Sequence, residues 1–154
     1  CMAVVSITLV AALSTVSAAK TTQKTIADRQ LAQELARALL TEIVEQVYEE
    51  PVLTPGFGPE AGEADGTRRA FDDVDDFNGW TANPPQYRDG TFKTGLNDWT
   101  ETATIERVGI AALESALSSD SGIKRVSVEV QYKGKPLARM VALRTNAWVE
   151  NLPE

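Results

Sequence analysis

The sequence contains no histidine and only one cysteine, Cys1. Histidine is the commonest general base and metal ligand, so its absence removes the usual chemistry of hydrolases and zinc enzymes. A single cysteine excludes an intramolecular disulfide, a zinc ribbon and a c-type haem site. No glycine-rich phosphate loop precedes a helix. We therefore expect that the protein is not an enzyme and has no cofactor, unless calcium binds the acidic loop described below.

Basic clusters are missing too. The 154 residues carry a net charge of −7 and have a pI near 4.7, which argues against nucleic acid as a partner. This length allows one domain beside a long helix.

The first fifty residues contain neither proline nor glycine, and no charge precedes Lys20. Residues 1–19 are mostly Ala, Val, Leu, Ile and Met, a length that suffices to cross a bilayer. We predict one helix over residues 1–50, about 75 Å long, that ends at Pro51. Residues 1–25 form its apolar membrane or filament-core half, with these assembly residues: Val4, Val5, Ile7, Leu9, Val10, Leu13 and Val16.

Residues 26–50 form the amphipathic half of this helix. Apolar residues recur at four-residue steps and predict a face that packs on a sheet: Leu31, Leu35, Leu39, Ile43 and Val47. The stripe is widened by Ile26, Ala27, Leu40 and Val44.

Three interpretations of the apolar half compete. Val16-Ser17-Ala18 could be the cleavage site of a secretory signal, but no basic segment precedes it. Cys1 could be a lipid anchor, although a polar tether would then be expected after it. A retained membrane or filament-core helix is favoured, because the pattern continues unbroken into the amphipathic half.

Residues 51–100 are rich in glycine and proline and predict a long irregular loop region. Aromatic residues are spread through it, and we expect six of them to anchor the loop to the core: Phe71, Phe77, Trp80, Tyr87, Phe92 and Trp99. A carbohydrate or partner patch is the alternative.

Four carboxylates are crowded within this loop: Asp72, Asp73, Asp75 and Asp76. The segment predicts a solvated acidic turn, or one paired with Arg68, Arg69 or Arg88, or else a calcium site. The spacing does not match an EF-hand.

Residues 101–154 predict an antiparallel sheet. Residues 102–108 suggest a first strand, and residues 109–119 a short helical or looping link. Apolar and polar residues alternate over residues 126–132, Lys133-Gly134 forms a tight turn, and a return strand covers residues 137–146. The predicted fold class is α+β, with one long N-terminal helix packed on a small C-terminal antiparallel sheet and an irregular loop between them.

This order of elements resembles the type IV pilins and the pseudopilins of type II secretion systems, and more specifically prepilin-like proteins of the planctomycete type. The resemblance rests on the overall pattern and on the segments LVAALSTVSAAKT, ADRQLAQELARALLTEI, YEEP, FGPEAGE, FDDVDDFNGW and ANPPQ. It implies a pilin-like fold and a subunit that is made as an inner-membrane precursor and then packed, helix to helix, into a filament.

The start of the chain departs from the family pattern. The leader, the cleavage-site glycine and the early glutamate are missing, and Val5 occupies the place of that glutamate if Cys1 is the mature N-terminus. We expect that about eight mature residues precede Cys1, so that the helix reaches the length of a bilayer span; a minor subunit that lacks the glutamate is the alternative.

We therefore expect a structural subunit of a type IV pilus-like filament or a type II secretion pseudopilus. Its partners would be further copies of itself, other pilin-like subunits and the inner-membrane assembly machinery, and its final location the cell surface or the periplasm. The alternative is a single-span envelope protein whose periplasmic domain binds calcium, a glycan or a partner.

Overall fold

The computed structural model describes residues 2–50, 56–63 and 65–148, and the side chains of residues 2–18 and 148 lie outside this description. Helix α1 (Met2–Val44) precedes five strands: β1 (Thr81–Ala82), β2 (Trp99–Gly109), β3 (Ala112–Ala116), β4 (Ile123–Tyr132) and β5 (Lys135–Thr145). Two short 3₁₀ helices, Asp75–Phe77 and Asn146–Trp148, complete the elements found in the described residues. The α+β fold predicted from the sequence, with a long helix packed on a small antiparallel sheet, is confirmed.

The sheet has the order β1-β2-β4-β5, with β3 paired to the end of β2. All pairs are antiparallel, and in the central pair Ala103 lies opposite Val128 and Ile105 opposite Val126. Lys133 and Gly134 have φ angles of 52° and 73°, which are the two positive values that a tight two-residue hairpin turn requires. The predicted hairpin is confirmed.

The core lies between α1 and one face of the sheet. Helix α1 packs on β4 and β5, and the predicted core residues Leu35, Leu39 and Ile43 are buried there. Leu31 is partly buried against the same cluster. From the sheet, alternate residues of β2 and β4 enter the core: Ala103, Ile105, Val126, Val128 and Val130. The amphipathic stripe therefore covers the apolar sheet face, as its spacing predicts.

The predicted helix end at Pro51 is wrong, because α1 ends at Val44. Gln46 donates its backbone N–H to Ile43 three residues back, and Val47 pairs with Asp73 in a parallel bridge. This contact with the loop takes the backbone away from the helix axis. As a result Val47 is 51% exposed and does not belong to the helix–sheet core, contrary to the prediction. Ile26 and Ala27, predicted to widen the stripe, are exposed as well.

The link over residues 109–119 is also different from the prediction. Its central part is strand β3, which folds back on β2, with Ala116 opposite Val108. The residues of this segment favour a helix, but all five residues of β3 are exposed, so a helix here would gain no buried apolar face. Pairing with β2 satisfies the backbone hydrogen bonds of the segment instead. The sheet also begins earlier than residue 101, since β1 and the start of β2 lie in the region predicted as loop.

Candidate functional site

The predicted assembly surface is the N-terminal half of α1. Its backbone is helical from Met2, and the side chains of the assembly residues lie outside the described residues: Val4, Val5, Ile7, Leu9, Val10, Leu13 and Val16. Residues 19–27 are exposed, and the first residue of α1 that packs on the core is Leu31. Within the described part of the chain, no helix combines the length and the apolar character needed to cross a membrane.

The acidic loop is not a solvated turn. Asp73, Asp75 and Asp76 are buried, and only Asp72 is exposed. Asp73 accepts backbone N–H groups of Asp75 at 2.7 Å, of Asp76 at 3.2 Å and of Glu50 at 3.0 Å. Asp76 accepts those of Asp72 at 2.9 Å and Asp73 at 3.1 Å. The carboxylate oxygens therefore accept hydrogen bonds from backbone N–H groups of the loop instead of from water. Buried carboxylates need such partners.

The cationic partner of this loop was also predicted wrongly. Asp75 forms a buried ion pair with Lys124 of β4, and the Lys124 ammonium also donates to the carbonyl of Tyr48. Arg68 instead pairs with Glu42 of α1, and Arg88 donates to the carbonyl of Phe71. Lys124 lies on the same face of β4 as Val126, Val128 and Val130, which is the face that packs on the core. A lysine on an otherwise apolar strand face needs a buried carboxylate as partner, and this pattern in the sequence could have predicted the ion pair.

Burial raises the pKa of all three buried aspartates above the ordinary value. For Asp73, burial acts together with the neighbouring carboxylate of Asp76; for Asp75, the hydrogen bond and charge of Lys124 oppose the effect of burial. For Asp76, the nearby carboxyl of Glu63 adds to burial, while backbone N–H groups oppose it. Taking carboxylates out of water disfavours their charged form, so this loop holds protons more firmly than exposed aspartates do.

The residues that could hold a cation differ from the predicted set. Carboxylate oxygens approach one another within 4.8 Å in two groups that share Glu63: Glu50 with Glu60, and Asp72 with Asp76. Of the four predicted ligands, Asp72 and Asp76 join this carboxylate cluster, although one oxygen of Asp76 also accepts two backbone N–H groups. Asp73 and Asp75 do not join it, and they bond to backbone N–H groups and to Lys124 instead. Such oxygen-rich loops are the kind of site that Ca²⁺ prefers, so calcium stays a prediction for a changed set of residues.

The like charges of the carboxylate cluster affect one another. The pKa of Glu50 is raised by partial burial and then by the charges of Asp72 and Glu63. The pKa of Glu60 is raised by burial and by Glu50, although its interaction with Glu63 opposes the shift. Glu50, Glu60 and Glu63 were missed because they are far from the acidic segment in sequence and carry no motif of their own.

The aromatic residues divide into two groups. Phe71, Phe77, Trp80 and Trp99 are buried, and the rings of Phe71 and Phe77 meet edge to face with centroids 5.0 Å apart. These four residues anchor the loop to the core, as predicted. Tyr87 and Phe92, however, are 57% and 54% exposed, so the expectation of a packing role is wrong for them.

Two further buried charges hold the loop to the helix and the sheet. Arg68 is 2% exposed, forms two 2.9 Å hydrogen bonds with the carboxylate of Glu42, and lies over the ring of Trp80 at 4.2 Å. Glu101 is fully buried on the inner face of β2 and pairs with Lys93 at 3.2 Å. Breaking such a pair leaves an uncompensated buried charge, so both act as specific ties between segments.

No known protein family, curated protein or solved structure matches the chain.

Proposed function

We propose that the protein is a structural subunit of a type IV pilus-like filament or a type II secretion pseudopilus, and that it assembles through its N-terminal helix. One observation carries the proposal: α1 is 43 residues long, which corresponds to about 65 Å, yet among its described side chains, those of residues 19–44, the apolar ones that join the core begin at Leu31. A helix that extends so far beyond the domain it supports needs another partner for its remaining length.

The sequence indicates what that partner is. Residues 1–19 are uncharged and mostly apolar, and residues 19–27 are exposed in the isolated chain. In a precursor, lipid would surround the apolar half; in a filament, the same half of neighbouring subunits would replace the lipid. Each Å² of apolar surface removed from water contributes about 25 cal/mol of favourable free energy. Burial of a nineteen-residue apolar segment between subunits would therefore stabilise the filament strongly.

The folded domain suits the outside of such an assembly. On the sheet face directed away from α1, the two central strands carry polar side chains: Thr102, Thr104 and Glu106 of β2, and Glu129 and Gln131 of β4. The net charge of −7 favours a solvated surface. The proposal therefore includes an inner-membrane precursor, partners among pilin-like subunits and the assembly machinery, and a final location at the cell surface or in the periplasm.

The test is a charge placed in the assembly half of α1. Val10→Asp and Leu13→Asp should abolish filaments in cells that carry the variant in place of the wild-type gene, because an aspartate cannot be buried between apolar helices without a partner. Gln33→Asp places the same charge on the exposed face of α1 beside the domain and should leave assembly intact. Electron microscopy of sheared cell-surface material, together with circular dichroism of each purified variant, gives the answer. Normal filaments from Val10→Asp and Leu13→Asp would reject the proposal.

The carboxylate cluster favours a second candidate, a single-span envelope protein whose periplasmic domain binds calcium, a glycan or a partner. Five carboxylates that gather in one loop region are a feature that filament assembly alone does not require. Protein that stays monomeric after extraction in mild detergent, and that forms no filaments in cells, would favour this candidate over the first.

A further inference from the structure

Lys124 and Asp75 face each other in a place that solvent does not reach. Lys124 is 1% exposed and Asp75 is 2% exposed, and the lysine Nζ contacts the Asp75 carboxyl directly. Lys124 lies on β4 and Asp75 opens the 3₁₀ helix Asp75–Phe77, which is 49 residues away in sequence. A primary amine and a carboxyl group are thus held against each other between two separate elements of the fold.

Apolar side chains and the buried carboxylate of Asp73 surround this pair. Val74, which precedes Asp75, and Val126, which follows Lys124 by two residues on the same face of β4, are both fully buried. The ring of Tyr48, itself 3% exposed, covers the lysine Nζ at 4.3 Å from the ring centroid. Two full charges are costly in such a place even when paired.

The neighbouring backbone offers an acceptor for the N–H group that an amide at this place would have. The carbonyl of Tyr48 accepts a hydrogen bond from the lysine Nζ. Asp73 accepts the backbone N–H of Asp75 at 2.7 Å and so fixes the aspartate relative to the lysine.

We propose that Lys124 and Asp75 condense into an intramolecular isopeptide bond. In the ion pair, one proton moves from the Nζ ammonium to the carboxylate, which leaves a neutral amine and a neutral carboxylic acid. The amine Nζ attacks the Asp75 carbonyl carbon, the new C–N bond forms, and the carboxyl C–O bond breaks as the hydroxyl takes a proton from Nζ and leaves as water. No oxidant, reductant or cofactor is consumed, and a desolvated lysine is a competent nucleophile.

The product would fit the site without rearrangement of its partners. The amide N–H donates to the carbonyl of Tyr48, and the two buried charges no longer exist. The bond joins the acidic loop to the centre of the sheet covalently, in a chain that has one cysteine and no means of forming an internal disulfide.

The intact mass of the purified full chain tests the proposal. We expect the folded wild-type protein to be lighter than its sequence by one water molecule, and to remain so after denaturation. Asp75→Asn, which condenses with loss of ammonia instead, should be lighter than its own sequence by one ammonia. Lys124→Arg carries a guanidinium that is not nucleophilic at neutral pH, so this variant should have its full sequence mass. A proteolytic digest of the wild type should contain one branched peptide that joins the Lys124 and Asp75 segments.

Two results would overturn the proposal. A folded wild-type chain that has its full sequence mass would establish an ordinary ion pair. A loss of water that persists in Lys124→Arg would locate the dehydration elsewhere, for example in a succinimide. If Lys124→Arg does not fold, the digest of the wild type decides alone, because the branched peptide is either present or absent.

Discussion

Ile43 and Val47 are one helical turn apart in the apolar stripe, and the structure gives them opposite environments. Ile43 is fully buried between α1 and the sheet, whereas Val47 lies beyond the helix end and is 51% exposed. Truncating each residue to alanine therefore tests whether α1 ends at Val44 or continues to Pro51 as the periodicity alone predicts.

The expected magnitudes follow from burial. Ile43→Ala removes three buried carbon groups at about 0.8 kcal/mol each and leaves a cavity, which together cost about 3–4 kcal/mol of unfolding free energy. The better helix propensity of alanine offsets roughly 0.4 kcal/mol of that loss. Val47→Ala removes two groups that are half exposed and leaves no enclosed cavity, so about 0.8 kcal/mol is its upper limit.

Urea unfolding of the full chain, followed by tryptophan fluorescence, measures both effects. Trp80 and Trp99 are 9% and 4% exposed and belong to the same core cluster as Ile43, so their emission reports on its loss. Equal destabilisation by the two substitutions, at more than about 2 kcal/mol each, would show that Val47 is buried as Ile43 is. That result would refute the end of α1 at Val44 and the described composition of the core.

Two further predictions concern the buried and clustered carboxylates. Burial raises the pKa of Glu101 above 4.5, so the folded state binds its proton more tightly than the unfolded state, and stability should fall as pH rises from about that value. Glu101→Gln should reduce the change of unfolding free energy with pH by at most about 1.4 kcal/mol per pH unit, measured by urea unfolding between pH 4.5 and 8. An unchanged pH dependence would contradict the raised pKa of Glu101. Calcium at 100 times its dissociation constant should stabilise the wild type by about 2.7 kcal/mol if the carboxylate cluster binds it. Glu63→Gln, which affects both carboxylate groups, should abolish the shift in melting temperature, whereas Glu34→Gln on the exposed face of α1 should keep it; no shift in the wild type would reject the calcium prediction.

The periodic parts of the sequence predicted the structure well. The alternation of Val126, Val128 and Val130 placed β4, and Lys133-Gly134 placed its hairpin turn, because side-chain direction along a strand and positive φ at a turn depend on local sequence. The stripe of Leu35, Leu39 and Ile43 placed the helix face that covers the sheet for the same reason.

The remaining features depend on partners that are distant in the chain. Residues 45–50 continue a helical pattern, but the bridge from Val47 to Asp73 and the contacts of Lys124 with Tyr48 and of Arg144 with Gln46 hold them in another conformation. From the sequence alone, Asp73, Asp75 and Asp76 resemble an acidic segment that is exposed to solvent. In the fold they are buried, and Lys124, which follows Asp75 by 49 residues, forms an ion pair with Asp75. Local composition cannot reveal a burial that tertiary contacts decide.

The most direct test of the filament proposal is electron microscopy of material sheared from the native cells, combined with mass spectrometry of its protein content. The proposal predicts thin filaments that contain peptides of this chain, and it predicts that cells carrying the Leu13→Asp variant lack these filaments. Protein that is found only in membranes, as isolated subunits and never in filaments, would contradict it.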